Sequence, residues 1–597
     1  MSSTQQESDG HKKRVIIVGA GWSGLAAAKT YVSKALGCIR INHGKSSYLQ
    51  ICPTVDLKIF DEDSSVGGVW SASRAYPNLI ADSPVGLYEF SDLTMADEEH
   101  PQYGRISGLG VHNYLERFAV KFGLLSRIRF NTKVTNISRQ GKEWKIATKD
   151  FEGEKMLQCD KLIIATGLSS NPNVPDVPNN GYKGVIMHSK SLGVKYSQLT
   201  NDSVKEVVVV GGCKSAIETT ILCLSAGKKV HWVVRENEKG HGVGPIVVVK
   251  RNAGKAALIN NLRLSSLLFP SIYRTDGFAY RFFCKSSLGM RIMNYLETKS
   301  SQFISSTVGY EKSENGQKIR PEILGNSFFW KTSSVSVVTS DSEFLDVLHD
   351  PEKKRLVVHR ASITRLTGSG VHLSTGEIIS AEGIVYATGW RPNTPMFSKE
   401  MLPELGLPTL LSDEPPELSK HWASLDKQAG SYIEKMFPKL ASPPSRRIFP
   451  PTRTHFRLYR GIVPCSLVAQ SDLSLTFLGL IATTQTAQLA ELSALWAVTW
   501  MEGLMKVPSK EESEKQIAEF NAWMERRYLS NVRAKPLITT EMQTHFDRLV
   551  EDLGLPVARK RKGIFGWFKE YFVPYRSEDY RGIVDELLED RKGIKVE

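Results

Sequence analysis

The stretch Arg14–Leu25, RVIIVGAGWSGL, constrains the chain more than any other. Four apolar residues, Val15 to Val18, read as a buried strand, and Leu25–Tyr31 has helical composition. Between them Gly19, Gly21 and Gly24 give G-x-G-x-x-G. Gly19 makes the tight turn, Gly21 lets the backbone approach a pyrophosphate, and Gly24 lets helix pack closely on strand. The free N–H groups and dipole of a helix N-terminus favour an anion there. A strand–turn–helix of this kind opens a parallel α/β sheet, so the chain reads as α/β.

A second copy of the pattern is Val207–Ala216, VVVVGGCKSA. Gly211 and Gly212 follow a strong strand, Ser215 lies in the expected first helical turn, and Ala216 is an accepted last residue. Cys213 stands at the middle glycine, where a side chain is expected to crowd a pyrophosphate, with Gly212 offering the close approach instead. The next strand, Lys229–Val234, ends in Arg235 rather than in an acid. An acid there binds the ribose 2′-hydroxyl of NAD, whereas a planar guanidinium matches a 2′-phosphate, which points to NADPH. The apolar strand ending in A-T-G also occurs twice, as KLIIATG at Lys161–Gly167 and GIVYATG at Gly383–Gly389.

Behind the first motif, the acid that should bind ribose hydroxyls is Asp61, ending the strand pattern VDLKIFD. It lies 37 residues after Gly24, where about 20 is usual. The excess sits in Val32–Gln50, which has neither helix nor strand periodicity; without its 19 residues the spacing is 18. Two readings stand. Val-Ser-Lys can be written as a strong intron donor and Leu-Gln can end in an acceptor, so the segment reads as a retained intron in frame. It also reads as a surface insertion, which loops tolerate well. A cDNA sequence separates the two.

With 597 residues the chain has room for two or more domains. Its hydrophobic content of 41% and charged content of 23% are those of a soluble globular protein. The net charge of +14 suits anionic cofactors or a membrane surface, and no arginine-rich tract or RNA-binding signature supports nucleic acid. The seven cysteines form no C-x-x-C pair and read as thiols in a reducing, cytoplasmic setting. The polar N-terminal tail reads as no signal peptide. Leu473–Met505 is the longest apolar region, but Gln485, Gln488, Glu491 and Glu502 interrupt it, so it reads as a buried strand followed by a core helix. Val557–Tyr575, VARKRKGIFGWFKEYFVPY, joins a basic run to an aromatic cluster. A solvated turn with a packed terminal helix is the preferred reading, and peripheral contact with an anionic membrane is the alternative.

Several motifs resemble the flavin-containing monooxygenases, the class B flavin-dependent enzymes, and their fungal secondary-metabolite branch in particular. They are the paired glycine motifs, SVGGVW at Ser65–Trp70, YPNLIADSPVGLYEFS at Tyr76–Ser91, and YKGVIMHS at Tyr182–Ser189. The resemblance implies two Rossmann-like domains, an FAD domain interrupted by an inserted NADPH domain. The expected boundaries are 1–175 and 383–530 for FAD, 176–382 for NADPH with a helical insertion at about 250–335, and 531–597 as a C-terminal extension. It also implies that Gly68 and Trp70 lie against the flavin and that Val134 meets the adenine through its backbone. Asn78 stands where the family usually has glycine. Asp82 falls where the family carries Asn or Asp near the flavin ring, which makes it the active-site candidate; an Asx-turn before Pro84 is the alternative. His188 is expected to serve the linker, and Leu192 replaces the Trp of the best-known Baeyer–Villiger enzymes.

The implied chemistry is hydride transfer from NADPH to FAD, then reaction with O2 and insertion of one oxygen into a small organic substrate by hydroxylation, epoxidation or Baeyer–Villiger oxidation. The stretch between Cys52 and Cys159 has no cysteine, which argues against a disulfide reductase. An uncoupled NADPH oxidase and a nucleotide-binding relic are the competing classes.

Overall fold

A computed structural model describes residues 12–32, 55–95, 105–235, 243, 246–249, 261–321, 330, 336–339, 343–392, 394–443, 451–506, 508–528, 538–561 and 563–591. The segment read as intron or insertion lies, apart from Val32, outside them.

Arg14–Val18 is the middle strand of a five-stranded parallel sheet. Asp56–Phe60 and then Ile128–Arg129 lie on one side of it, Lys161–Ile164 and then Leu475–Phe477 on the other. Val15 to Val18 are all buried, as a strand covered on both faces requires. The helix Trp22–Val32 follows the glycine turn and packs against the helix Thr486–Met501. Every residue from Ala487 to Met501 is buried, so the apolar region near the C-terminus is a strand followed by a core helix. A three-stranded antiparallel sheet, Lys133–Gln140, Glu143–Asp150 and Gly153–Cys159, completes this unit.

The second unit has its own five-stranded parallel sheet: Val185–His188, Gly383–Tyr386, Glu206–Val210, Lys229–Val234 and Leu356–Arg360, in that spatial order. The strand Gly383–Tyr386, expected to open the returning FAD segment, is therefore an interior strand of the second sheet. The return moves to Trp390–Arg391, which pairs antiparallel with Asn171–Pro172. These two short strands carry the chain out and back. His188 secures the crossing: one ring nitrogen lies 3.0 Å from the Gly389 carbonyl and the other accepts from the Lys190 N–H.

Within the expected helical insertion, Ser287–Val308 is a long helix capped by Ser286, whose hydroxyl accepts from Gly289 N–H. The expected C-terminal extension is no appendage. Its helix Met542–Asp552 packs on Thr486–Met501, and Asp552 accepts from Trp496 Nε1 at 3.1 Å and Arg460 Nε at 2.6 Å. Phe546, Leu549 and Val550 join the first core.

Candidate active site

The first glycine turn is shaped by contacts that leave no room for side chains. Gly19 has φ +109°, and a Cβ there would overlap the Ala165 carbonyl oxygen of the first A-T-G. A Cβ on Gly24 would overlap the Gly19 carbonyl oxygen, so the helix lies directly on the turn. Gly21 differs: its Cβ would meet nothing nearer than Gly68 Cα at 3.7 Å. The turn Gly67–Trp70 backs onto it, with Gly67 N–H donating to the Ala20 carbonyl at 3.0 Å. Gly68 takes φ +60°, a left-handed conformation suited to glycine. Trp70 is buried, and its Nε1 donates to Tyr88 Oη at 2.9 Å.

Asp61 closes this cradle. Its carboxylate accepts from Ala20 N–H at 2.6 Å and from Asp63 N–H at 2.8 Å. Burial raises its pKa to about 6 against these two stabilising donors. Its carbonyl accepts from Thr132 N–H at 2.8 Å, which brings the strand bearing Val134 to the same end of the sheet. The first turn of the helix Trp22–Val32 holds no acidic residue. At the start of Thr486–Met501, the helix packed against it, Gln485 carries a buried Oε1 that has no partner among the described residues. An open glycine position, a helix start without acid and a spare buried acceptor fit a dinucleotide whose ring system carries N–H donors.

The second turn repeats the first at its opening. Gly211 has φ +142°, and its Cβ would overlap the carbonyl oxygen of Ala387, from the second A-T-G. Gly211 N–H donates to Val233 O at 3.0 Å and its carbonyl accepts from Trp232 Nε1 at 2.7 Å. Cys213 is the N-cap of Lys214–Ser225, with an extended backbone at φ −118°. That conformation makes no demand for glycine, so crowding by its side chain is the remaining issue at this position. The helix start has neither a side-chain cap nor an acid, which again fits an anion. Gly212 and Ser215 are half-buried in this turn, and Arg235 is exposed directly after Lys229–Val234.

Asp82 lies on Ile80–Pro84, a strand of the first unit paired with Arg105–Ser107. Its carbonyl accepts from Arg105, and its Oδ1 accepts from Lys214 Nζ at 2.9 Å. Lys214 opens the helix Lys214–Ser225 that follows the second glycine turn, so this ion pair joins the two units. The same ammonium donates to Ile80 O at 2.9 Å and Glu218 Oε1 at 2.6 Å, and Tyr76 Oη donates to Glu218 Oε2 at 3.1 Å. Burial works against the charge on Lys214, but Glu218 and Asp82 outweigh it and hold its pKa above the ordinary lysine value. Burial raises Glu218, in part offset by Lys214. Ser83, beside Asp82, donates to the Thr484 carbonyl at the entry to the Thr486–Met501 helix. Asn78, in the place of the usual glycine, takes φ +66°, a left-handed conformation that Asn tolerates better than most residues.

Sequence reasoning singled out Asp82 but not Lys214, Glu218, Tyr76 or Arg105. One signal was present: Lys214 and Glu218 stand four apart at the start of a helix, the spacing of an ion pair.

Two strand–glycine turn–helix units, bridged by an ion pair between the second helix and a strand beside the first turn, define a two-dinucleotide oxidoreductase of α/β class. Residues 83–249 match the pyridine nucleotide-disulphide oxidoreductase family. The FAD-dependent monooxygenase resA of Aspergillus sclerotiorum is 34% identical over 98% of this chain and 99% of that protein. An FAD-dependent monooxygenase of Pyrenophora dematioidea is 35% identical over 92% and 99%. The chain belongs to the FAD-dependent monooxygenases. The fold is that of OTEMO in complex with FAD and NADP, with a TM-score of 0.59 at 14% identity over 91% of this chain and 97% of that one. The open form of cyclohexanone monooxygenase gives 0.54 at 16% over 98% and 99%. Among the described residues the five cysteines are unpaired, and no helix is long and apolar enough to cross a membrane.

Proposed function

We propose that the first turn holds FAD through Gly19, Gly21, Gly24, Asp61, Gly68, Trp70 and Val134. In the same reading the second turn holds NADPH through Gly211, Gly212, Ser215 and Arg235. The enzyme then inserts one atom of O2 into a small organic substrate, in secondary metabolism, by hydroxylation, epoxidation or Baeyer–Villiger oxidation. FAD, when bound, supplies the hydride acceptor and the centre that activates O2. A solved structure of the same fold holds FAD and NADP, which supports the pair of dinucleotides; the role of Arg235 rests on its place at the end of Lys229–Val234.

The observation that carries the proposal is the Lys214–Asp82 pair. It ties the helix that faces the second dinucleotide to the strand beside the first. Lys214 keeps its proton, so it serves as a fixed donor rather than a proton source at neutral pH. Asp82 is thereby held as an acceptor between the two turns, with Arg105 fixing its main chain. The pair orients the reacting groups where the two units meet.

Asp82→Ala and Lys214→Met should each leave flavin content near wild type and lower the product formed per NADPH by at least about ten-fold, the loss of one charged hydrogen bond. The measurement is product and peroxide against NADPH consumed. Normal coupling in both variants would remove the pair from the site.

A further inference from the structure

The basic and aromatic stretch Val557–Tyr575 divides in two. Its inner side is pinned. Glu570 is buried; its carboxylate accepts from Lys560 N–H at 3.0 Å and Tyr575 Oη at 2.6 Å, and pairs with Arg263. Arg559 pairs with Glu586 at 2.6 Å, and Lys560 with Asp579 at 2.6 Å. Gly566 packs so closely on Arg561 that a Cβ there would lie 2.5 Å from its carbonyl carbon.

The outer side is apolar and bare. Ile564 is 99% exposed, Phe565 70%, Trp567 64% and Phe568 54%. Phe568 stacks on Phe572 at 4.9 Å and Trp567 meets Tyr571 at 5.5 Å, so the rings are supported by one another and by a fixed base. A scattered exposed apolar residue needs no explanation, but a rigid cluster of this kind does. Among the described residues, the remaining exposed polar side chains of the turn and its helix are Arg561 and Lys569, and the sole acid of the stretch, Glu570, faces inward.

We propose that this face docks the enzyme peripherally on an anionic phospholipid bilayer. Ile564, Phe565, Trp567 and Phe568 enter the headgroup–acyl boundary, where aromatic rings are favoured, while Arg561 and Lys569 meet anionic headgroups. A second copy of the chain is the poorer occupant. A two-fold contact through this patch would bring the patch's exposed cations, Arg561 and Lys569, of both copies into one interface, with no exposed acid of the stretch among the described residues to offset them. The net charge of +14 adds long-range attraction to an anionic surface.

The test is flotation of the purified holoenzyme with phosphatidylcholine–phosphatidylserine vesicles, in roughly three-to-one ratio, and with phosphatidylcholine alone. The enzyme should float with the anionic vesicles, about ten-fold less with the neutral ones, and less as salt rises. The triple variant Ile564→Ser, Trp567→Ser, Phe568→Ser should lose about ten-fold or more of the flotation. Arg561→Glu with Lys569→Glu should lose a similar share. Flavin absorbance of both variants should match wild type, because every substituted side chain is exposed. Absence of wild-type flotation would overturn the proposal, as would flotation that survives both variants. A dimer that the triple variant dissociates, without vesicle binding, would assign the patch to self-association instead.

Discussion

Gly24 and Ala216 occupy the same place in two turns that are otherwise built alike. Each turn opens on a glycine at positive φ, Gly19 or Gly211, whose missing Cβ is filled by the alanine carbonyl of an A-T-G strand. At the closing position they part. A Cβ on Gly24 would overlap Gly19 O, whereas the Cβ of Ala216 is tolerated, and a Cβ added to Gly211 would still lie 3.4 Å from it. The first helix lies directly on its turn, and the second stands off by enough to admit a methyl group. The partners differ as well: the first turn is closed by an acid, Asp61, and the second strand end carries Arg235. Turns of common design thus differ in how tightly they close, with the tighter turn proposed for the resident cofactor and the looser for the one that enters and leaves.

The largest effect expected from breaking this contrast is at its closing position. Gly24→Ala forces backbone to move, at a cost of about 1–3 kcal/mol or more. The purified variant should carry little flavin and unfold at lower temperature. Ala216→Gly should cost no more than about 1 kcal/mol and leave flavin content unchanged. Equal effects in the two variants, read from flavin absorbance and thermal unfolding, would end the distinction.

Arg235→Ala should raise the KM for NADPH about ten-fold or more, because a charge-assisted hydrogen bond is worth about 1.5–3 kcal/mol, and leave the KM for NADH nearly unchanged. Steady-state kinetics with both cofactors decide it; an equal rise for both would remove Arg235 from 2′-phosphate recognition.

The smallest effect concerns pH. Burial raises Asp61 from the ordinary carboxylate value to about 6, so in the flavin-free protein it takes up a proton as pH falls through that point. The protonated group loses acceptor capacity toward ribose hydroxyls and Ala20 N–H. Flavin affinity should therefore be full above about pH 6 and weaken below it by up to about ten-fold per pH unit. Flavin binding followed by fluorescence across pH 5–8 reads this, and Asp61→Asn should flatten the profile.

Both turns were legible in the sequence because each is specified within a dozen residues: a buried strand, spaced glycines, a helix. The core helix after Leu475–Phe477 was legible for the same reason. What was not legible depended on distant pairing. GIVYATG has the same local pattern in either sheet, and only its neighbours, Val185–His188 and Glu206–Val210, assign it to the second. Asp82 and Lys214 are 132 residues apart, and neither motif names the other as partner. The basic–aromatic stretch near the C-terminus shows its composition in the sequence, but not that Glu570 turns inward while Trp567 stays out.

The most direct test of the account is an absorbance spectrum of the purified protein, followed by NADPH added without oxygen. Two functional dinucleotide turns predict a flavin spectrum that bleaches. A flavin spectrum that persists would contradict the assignment of NADPH to the second turn and implicate Cys213. A colourless protein would contradict the cradle at Gly19–Gly24, and repeating the test without Val32–Gln50 would show whether that segment is the cause.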